Sequence, residues 1–124
     1  MQLKDKVIIL TGAARVGKTV ARYFGSKGAH LAITYFTHKT ESEFVCEECS
    51  AVGSKSIAVK ADLSKTEDIK NLIEETKKQF GRIDGLVHMA AIYPKTPWQA
   101  LTEADWDKNM TVIAKSTFLL GKMV

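Results

Sequence analysis

Apolar residues recur along the chain with two alternating periods, and the switch between them marks out the elements. Lys6-Val-Ile-Ile-Leu-Thr11 is a short apolar run rich in β-branched residues, the pattern of a strand covered on both faces. Val16, Val20, Ala21 and Phe24 then fall at helical spacing, with Gly28 as a stop. His30-Leu-Ala-Ile-Thr-Tyr35 predicts a second strand. A helix over about 40–52 is expected to turn Phe44, Val45 and Cys49 inward and to end at Gly53. Ser56-Ile-Ala-Val-Lys60 predicts a third strand. Ser64-Lys-Thr-Glu67 has the spacing of a capping box, opening a helix that carries Ile69, Leu72, Ile73, Thr76 and Phe80 and closes at Gly81. Ile83 to Met89 predicts a fourth apolar strand. After a loop with Pro94 and Pro97, Thr102-Glu-Ala-Asp105 starts a last long helix through Trp106, Met110, Ile113, Thr117 and Leu120.

Strands alternating with helices over short connections predict right-handed βαβ units and a mostly parallel sheet sandwiched between helices. Ligands of such sheets sit at the carboxyl ends of the strands, so the first strand–turn–helix is where chemistry is expected. The 124 residues amount to about 0.8 of a typical domain. With 45% hydrophobic and 26% charged residues, disordered and collagen-like chains are excluded. The net charge of +4 is spread along the chain, which gives no reason to expect nucleic acid or a membrane as partner. No apolar run approaches the ~18 residues of a membrane span, and Met1 to Lys6 lacks a signal-peptide core. A cytoplasmic protein is expected. Cys46 and Cys49 form a lone CxxC without the further ligands of a zinc site, and Glu47 and Glu48 between them disfavour a thiolate. No metal is expected there.

The first turn, Thr11-Gly12-Ala13-Ala14-Arg15-Val16-Gly17-Lys18-Thr19, supports two readings. Residues 12–19 match G-x-x-x-x-G-K-T, the P-loop of nucleotide phosphatases and kinases, in which amides cradle phosphates and the Thr holds magnesium. That reading needs an Asp ending a later apolar strand, and Asp62 is the one candidate, after a run that Lys60 interrupts. Alternatively, glycines let the backbone approach a dinucleotide pyrophosphate lying on the helix N-terminus.

Several further stretches resemble the short-chain dehydrogenase/reductase family in order and spacing. Thr11-Gly-Ala-Ala-Arg15 followed by Val16-Gly17-Lys18 is similar to that family's T-G-x-x-x-G-x-G loop with the middle glycine deleted. Asp62-Leu63-Ser64 resembles its adenine-contacting D-[LV]-[ST], and Phe80-Gly-Arg-Ile-Asp84-Gly-Leu-Val87 its approach to the fourth strand. Ala100 to Trp106, then Lys115-Ser-Thr-Phe118, resemble the long helix beyond. The resemblance runs from residue 4 to 124 and corresponds to about the N-terminal half of a family member.

It implies a Rossmann-like αβα domain over residues 1–124, with strand order 3-2-1-4 and a long last helix, incomplete as a catalytic unit. It further implies an oxidoreductase acting on a carbonyl or alcohol, with Gly12, Arg15, Val16 and Gly17 on the phosphates, Asp62 and Leu63 on the adenine, and Ala90 beside the ribose and nicotinamide. NADP(H) is favoured over NAD(H): Tyr35-Phe36-Thr37-His38-Lys39 offers no acid for a ribose 2′-hydroxyl, whereas His38, Lys39 and Arg15 offer cations for a 2′-phosphate.

The family's N-N-A-G appears as His88-Met89-Ala90-Ala91, and in V-N-x-K-G-T-F the catalytic Asn position holds Ile113. His88 reads as a hydrogen-bonded core histidine rather than a base. Tyr23…Lys27 and Tyr35…Lys39 match the family's Y-x-x-x-K only in letters, so no catalytic residue is assigned and the chain alone is expected to be inactive. A non-catalytic dinucleotide-binding or scaffold protein is the second reading. The fourth strand is expected at an open sheet edge, favouring homo-oligomers or pairing with a C-terminal half, alongside a small-molecule substrate.

Overall fold

A computed structural model describes residues 2–124. The first strand, β1 (Val7–Thr11), is buried at all five positions, as its unbroken apolar run requires. It is followed by α1 (Val16–Ser26), β2 (His30–Tyr35), α2 (Lys39–Ala51), β3 (Ser56–Lys60), α3 (Thr66–Phe80) and β4 (Gly85–His88). A 3-10 turn over Trp98–Ala100 leads to α4 (Glu103–Met110) and α5 (Ser116–Met123). The strands are all parallel in the order β3-β2-β1-β4, so the predicted αβα topology holds.

Side chains alternate across β1 and divide the core in two. Ile8 and Leu10 face α1 and α2 among Ala21, Leu31, Ile33, Val45 and Cys49. Ile9 faces the opposite layer, among Val59, Ile69, Leu72, Ile73 and Leu120 of α3 and α5. Burying five to seven large aliphatic side chains per layer, at about 1.5–3 kcal/mol each, is what holds the helices to the sheet. Cys46 and Cys49 are free and buried in the α1–α2 layer, and burial pushes the Cys46 thiol up to about 12, so neither is a thiolate.

Four details depart from the sequence pattern. Phe44 is exposed, and Ser42 and Cys46 join Val45 and Cys49 on the inner face of α2. Ser64 does not cap α3: its amide and hydroxyl both donate to Asp62 Oδ1, at 3.0 and 2.6 Å, and the helix begins past Lys65. The capping box lies instead at α4, where Thr102 Oγ1 accepts from the Asp105 amide and the Asp105 carboxylate accepts from the Thr102 amide. The last helix is interrupted by a π-turn over Thr111–Lys115, after which only Ser116 and Leu120 of α5 are buried. Trp106, Met110, Ile113 and Phe118 remain exposed, and β4 is a sheet edge, as expected.

Below β4, Asp84 ties the sheet's amino-terminal rim together. Its Oδ2 accepts from the Val7 amide at 2.9 Å and from Arg82 Nε at 2.8 Å, with Lys6 Nζ 3.6 Å from Oδ1. Arg82, first, and the Val7 amide hold its carboxyl down at about 2. Because the folded value is depressed, this clamp contributes fully above the ordinary value of 3.8 and is lost as pH falls towards 2. Asp84→Asn should therefore lower the urea midpoint at neutral pH and flatten its decline in that acid window. Parallel pH profiles of variant and parent would count against the clamp.

Candidate functional site

The carboxyl ends of β1 and β4 lie side by side, pairing Thr11 with His88, and the chain leaves β1 through Gly12. Gly12 has φ +81°, and a Cβ built on it would lie 2.9 Å from the Ala90 nitrogen. A side chain there is excluded twice, by backbone conformation and by the neighbouring strand end. Gly17, in the first turn of α1, packs still closer: its added Cβ would sit 2.0 Å from the Gly12 carbonyl oxygen. Gly12 thus packs backbone to backbone against both Gly17 and Ala90 at the carboxyl ends of β1 and β4.

The turn between them is tight. Gly17 and Lys18 amides donate to the carbonyls of Ala14 and Arg15, at 3.0 and 3.3 Å. Arg15, one residue before α1, takes φ +52° and ψ −113°, a conformation that glycine adopts readily and arginine does not. No side chain caps α1 and its first turn carries no acid, so the positive end of the helix faces the crevice uncompensated.

Thr11 fixes how the crevice is held, and sequence reasoning did not single it out. Its Oγ1 accepts from the Met89 and Ala90 amides at 3.1 and 3.2 Å and lies 2.7 Å from His88 Nδ1. On the far side of the ring, His88 Nε2 is 2.9 Å from Ser116 Oγ, which donates to the Val112 carbonyl in the π-turn. The hydrogen-bonded role expected for His88 is what the structure places there, although the ring is half-buried rather than in the core. Burial pulls its imidazole below the ordinary 6.5, against a smaller opposing pull from the Ile113 carbonyl. A hint of this chain existed in the sequence: Ser116 stands where the K-G-T-F pattern has glycine, as His88 stands where N-N-A-G has asparagine.

The remaining candidates lie at the start of α1 and past the ends of β2 and β3. Val16 is exposed at the start of α1. His38 and Lys39 lie past the end of β2, exposed, with Glu41 and Glu43 as partners at 3.7 and 3.5 Å. Glu41 is also held by Lys18 at 3.1 Å. Asp62 follows β3 and keeps its charge, since the Ser64 hydroxyl, partly opposed by burial, holds its carboxyl below the usual range. Leu63 turns its side chain into the core against α3. A cleft of about 670 Å³ beside them is lined by Phe36, Lys60, Asp62 and residues of α3.

Of the features the P-loop reading asks for, Asp62 follows β3, which pairs with β2 and not with β1, and Lys18 pairs with Glu41 at 3.1 Å. Among the described residues no cluster of acidic, His or Cys side chains is arranged to hold a metal. The Tyr–Lys matches are not catalytic pairs either: Lys27 Nζ sits 5.6 Å over the exposed Tyr23 ring, and Lys39 pairs with Glu43. No helix among the described residues is long and apolar enough to cross a membrane.

Comparison with known proteins agrees with this arrangement. A family model described as enoyl-(acyl carrier protein) reductase matches residues 12–124. The chain is 32% identical over 115 residues to a 3-oxoacyl-[acyl-carrier-protein] reductase of Staphylococcus epidermidis, covering 92% of this chain and 47% of that one. To a hydroxynaphthalene reductase-like protein of Metarhizium brunneum it is 30% identical over 121 residues, or 97% and 45% of the two chains. A short-chain dehydrogenase from Burkholderia cenocepacia, solved in complex with NADP, superposes with a TM-score of 0.92 at 27% identity, covering 99% of this chain and 51% of that one. The chain therefore spans about half the length of the relatives it matches. Its sheet order, glycine loop and extent of match leave one assignment. The chain belongs to the short-chain dehydrogenase/reductase family.

Proposed function

We propose that this chain is the cofactor-binding part of an NADP(H)-dependent oxidoreductase that interconverts a carbonyl and an alcohol in a small-molecule substrate. The observation that carries the reading is the side-chain-free packing of Gly12 against Gly17 and Ala90 beside the uncapped N-terminus of α1. A pyrophosphate fits there because amides and helix dipole meet its charge where no side chain intervenes. In this reading the phosphates lie over Gly12, Val16 and Gly17, the adenine between Asp62 and the Leu63 backbone, and the nicotinamide ribose against Ala90. Arg15, His38 and Lys39 face the 2′-phosphate, with Glu41 paired to Lys18 at 3.1 Å. The nicotinamide, when bound, supplies or accepts the hydride. The chain's own part is to hold it there and keep Asp62 ionised. The NADP complex of the Burkholderia relative supports the cofactor choice. The open edge of β4, with Trp106 and Phe118 exposed nearby in sequence on α4 and α5, supports a partner chain, either a second copy or a C-terminal half.

Thermal-shift titration tests the reading. NADPH without magnesium should stabilise the protein, by about 2.7 kcal/mol at a hundredfold excess over Kd, and NADH less. Stabilisation by ATP–magnesium alone would return the P-loop reading. The non-catalytic alternative keeps one supporting observation, aliphatic Ile113 in the π-turn where the family pattern has its catalytic Asn. Hydride transfer from NADPH to a panel of carbonyls decides it.

Arg15 gives a sharper test, because strain and charge pull in opposite directions. Arg15→Gly relieves the positive φ and should raise unfolding stability by about 1 kcal/mol. It also removes a cation, and should lower the NADPH-to-NADH affinity ratio about tenfold, the worth of one charge-assisted hydrogen bond. A variant that is both more stable and equally selective would remove Arg15 from the phosphate site.

A further inference from the structure

The hydrogen bonds around His88 have a direction that the geometry fixes. Thr11 Oγ1 has two lone pairs, and the Met89 and Ala90 amides point at them. Its one proton is therefore free for His88 Nδ1, which must be the unprotonated nitrogen. Nε2 then carries the hydrogen and donates to Ser116 Oγ, whose own proton goes to Val112. The relay runs Thr11 to His88 to Ser116 to the π-turn, and each hydroxyl donates once. It joins β1, the end of β4 and the last helical stretch through groups separated by 77 and 28 positions in the chain.

A second proton on His88 breaks this order. Nδ1–H would then point at Thr11 Oγ1, so that three donors meet two lone pairs. The Met89 amide has a fallback, the Thr11 carbonyl at 3.2 Å. The Thr11 hydroxyl proton has none, and Thr11 is fully buried. The relief is rotation of Thr11 about χ1, which withdraws Oγ1 from the Ala90 amide and releases the strand end that Gly12 packs against. The groups facing the ring are Thr11 from β1, Ser116 from α5 and the Ile113 carbonyl from the π-turn. Among the described residues no charged side chain contributes to its titration, so nothing nearby compensates an imidazolium.

We propose that neutral His88 is a positioning residue of the dinucleotide crevice, holding Ala90 against Gly12 through Thr11, so that cofactor binding weakens when the ring takes up a proton. The inference rests on the dinucleotide reading above and adds its regulation. Protonation is disfavoured in the folded, cofactor-ready state, so the effect sets in as pH falls below the ordinary 6.5.

The test uses NAD+ as probe, because the 2′-phosphate of NADP titrates in the same range, near about pH 6. Its Kd is measured by calorimetry at about pH 7.5 and about pH 5.5, while NMR follows the His88 ring and the Ala90 amide in the free protein. The parent should bind several-fold more weakly at the lower pH, up to about fivefold for a one-unit difference in His88 pKa between free and bound protein. The Ala90 amide should titrate together with the ring. His88→Asn presents an acceptor to Thr11 and a donor to Ser116 but does not titrate. It should bind within about threefold of the parent at the higher pH and lose the pH dependence. His88→Leu should bind weakly at both. A pH-independent Kd in the parent, tighter binding at low pH, or an Ala90 amide indifferent to the ring's protonation would overturn the coupling while leaving the cofactor reading intact. Failure of NAD+ and NADPH to bind at any pH would overturn both.

Discussion

Gly17→Ala is expected to cost about 3 kcal/mol of folding stability, the upper part of the range for overpacking, and to abolish measurable NADPH binding. The added methyl carbon would lie 2.0 Å from the Gly12 carbonyl oxygen and 2.9 Å from its carbon. Both are backbone atoms, so no side chain can step aside. Relief requires the turn to open by more than an ångström, and the turn is held by the Gly17-to-Ala14 and Lys18-to-Arg15 bonds and by Gly12 seated against Ala90. Opening it also separates the amides that the proposed phosphate site needs. Urea unfolding of variant and parent, with and without NADPH, reads both effects. A variant within about 0.5 kcal/mol of the parent, the usual span of an inconsequential surface change, would mean that the loop is looser than described.

Leu120→Ala should cost as much or more, about 3–4 kcal/mol, from a position nearly the whole chain away. Leu120 is one of two buried residues of α5, fully enclosed, and reaches the cluster of Ile9, Ile69 and Leu72 beneath the sheet. Removing it takes away the transfer energy of the side chain and leaves a void walled by β1 and α3, which cannot collapse without bending a sheet buried on both faces. Its neighbour Leu119, only partly buried, is the control: Leu119→Ala should cost about 1 kcal/mol or less, in line with the smaller area it removes from water. Chemical denaturation separates the two. Equal losses would show that α5 is held by its length rather than by a single anchor.

The parts of the fold that the sequence disclosed are those where local pattern and burial coincide. The unbroken apolar run of β1 could only be a strand covered on both sides, and α3 carries its buried residues at helical spacing up to a glycine. In α1, by contrast, only Ala21 of the apolar set is buried, Gly17 and Gly25 sharing the inner face and Val16 facing out. Phe44 misled because an aromatic residue on an amphipathic helix is assigned inward by pattern, while Gly25 on α1 lets Cys49 of α2 come so close that small residues take the inner face. Ser64 misled because a capping pattern competes with an Asx turn, and Asp62 offered the nearer acceptor. The glycine packing of the candidate site was legible, since close approach can be written only in glycine and alanine. The link from Thr11 through His88 to Ser116 was not. Its members are scattered over the chain and become partners only after the strands have found their order.

That all four strands are parallel makes the molecule polar from rim to rim. Everything proposed to touch a dinucleotide leaves the sheet at the carboxyl rim, while the opposite rim is made of returns from helix to strand. Two of those returns, at Gly53 and Gly81, open onto empty space. The two rims should therefore tolerate engineering unequally. A fluorophore or short peptide added beside Gly53 or Gly81 is carried at the far end of the strands from the crevice, whereas the same addition after β1 or β4 lands in it. The amino-terminal rim is the place to attach a reporter that must not disturb the ligand it reports on.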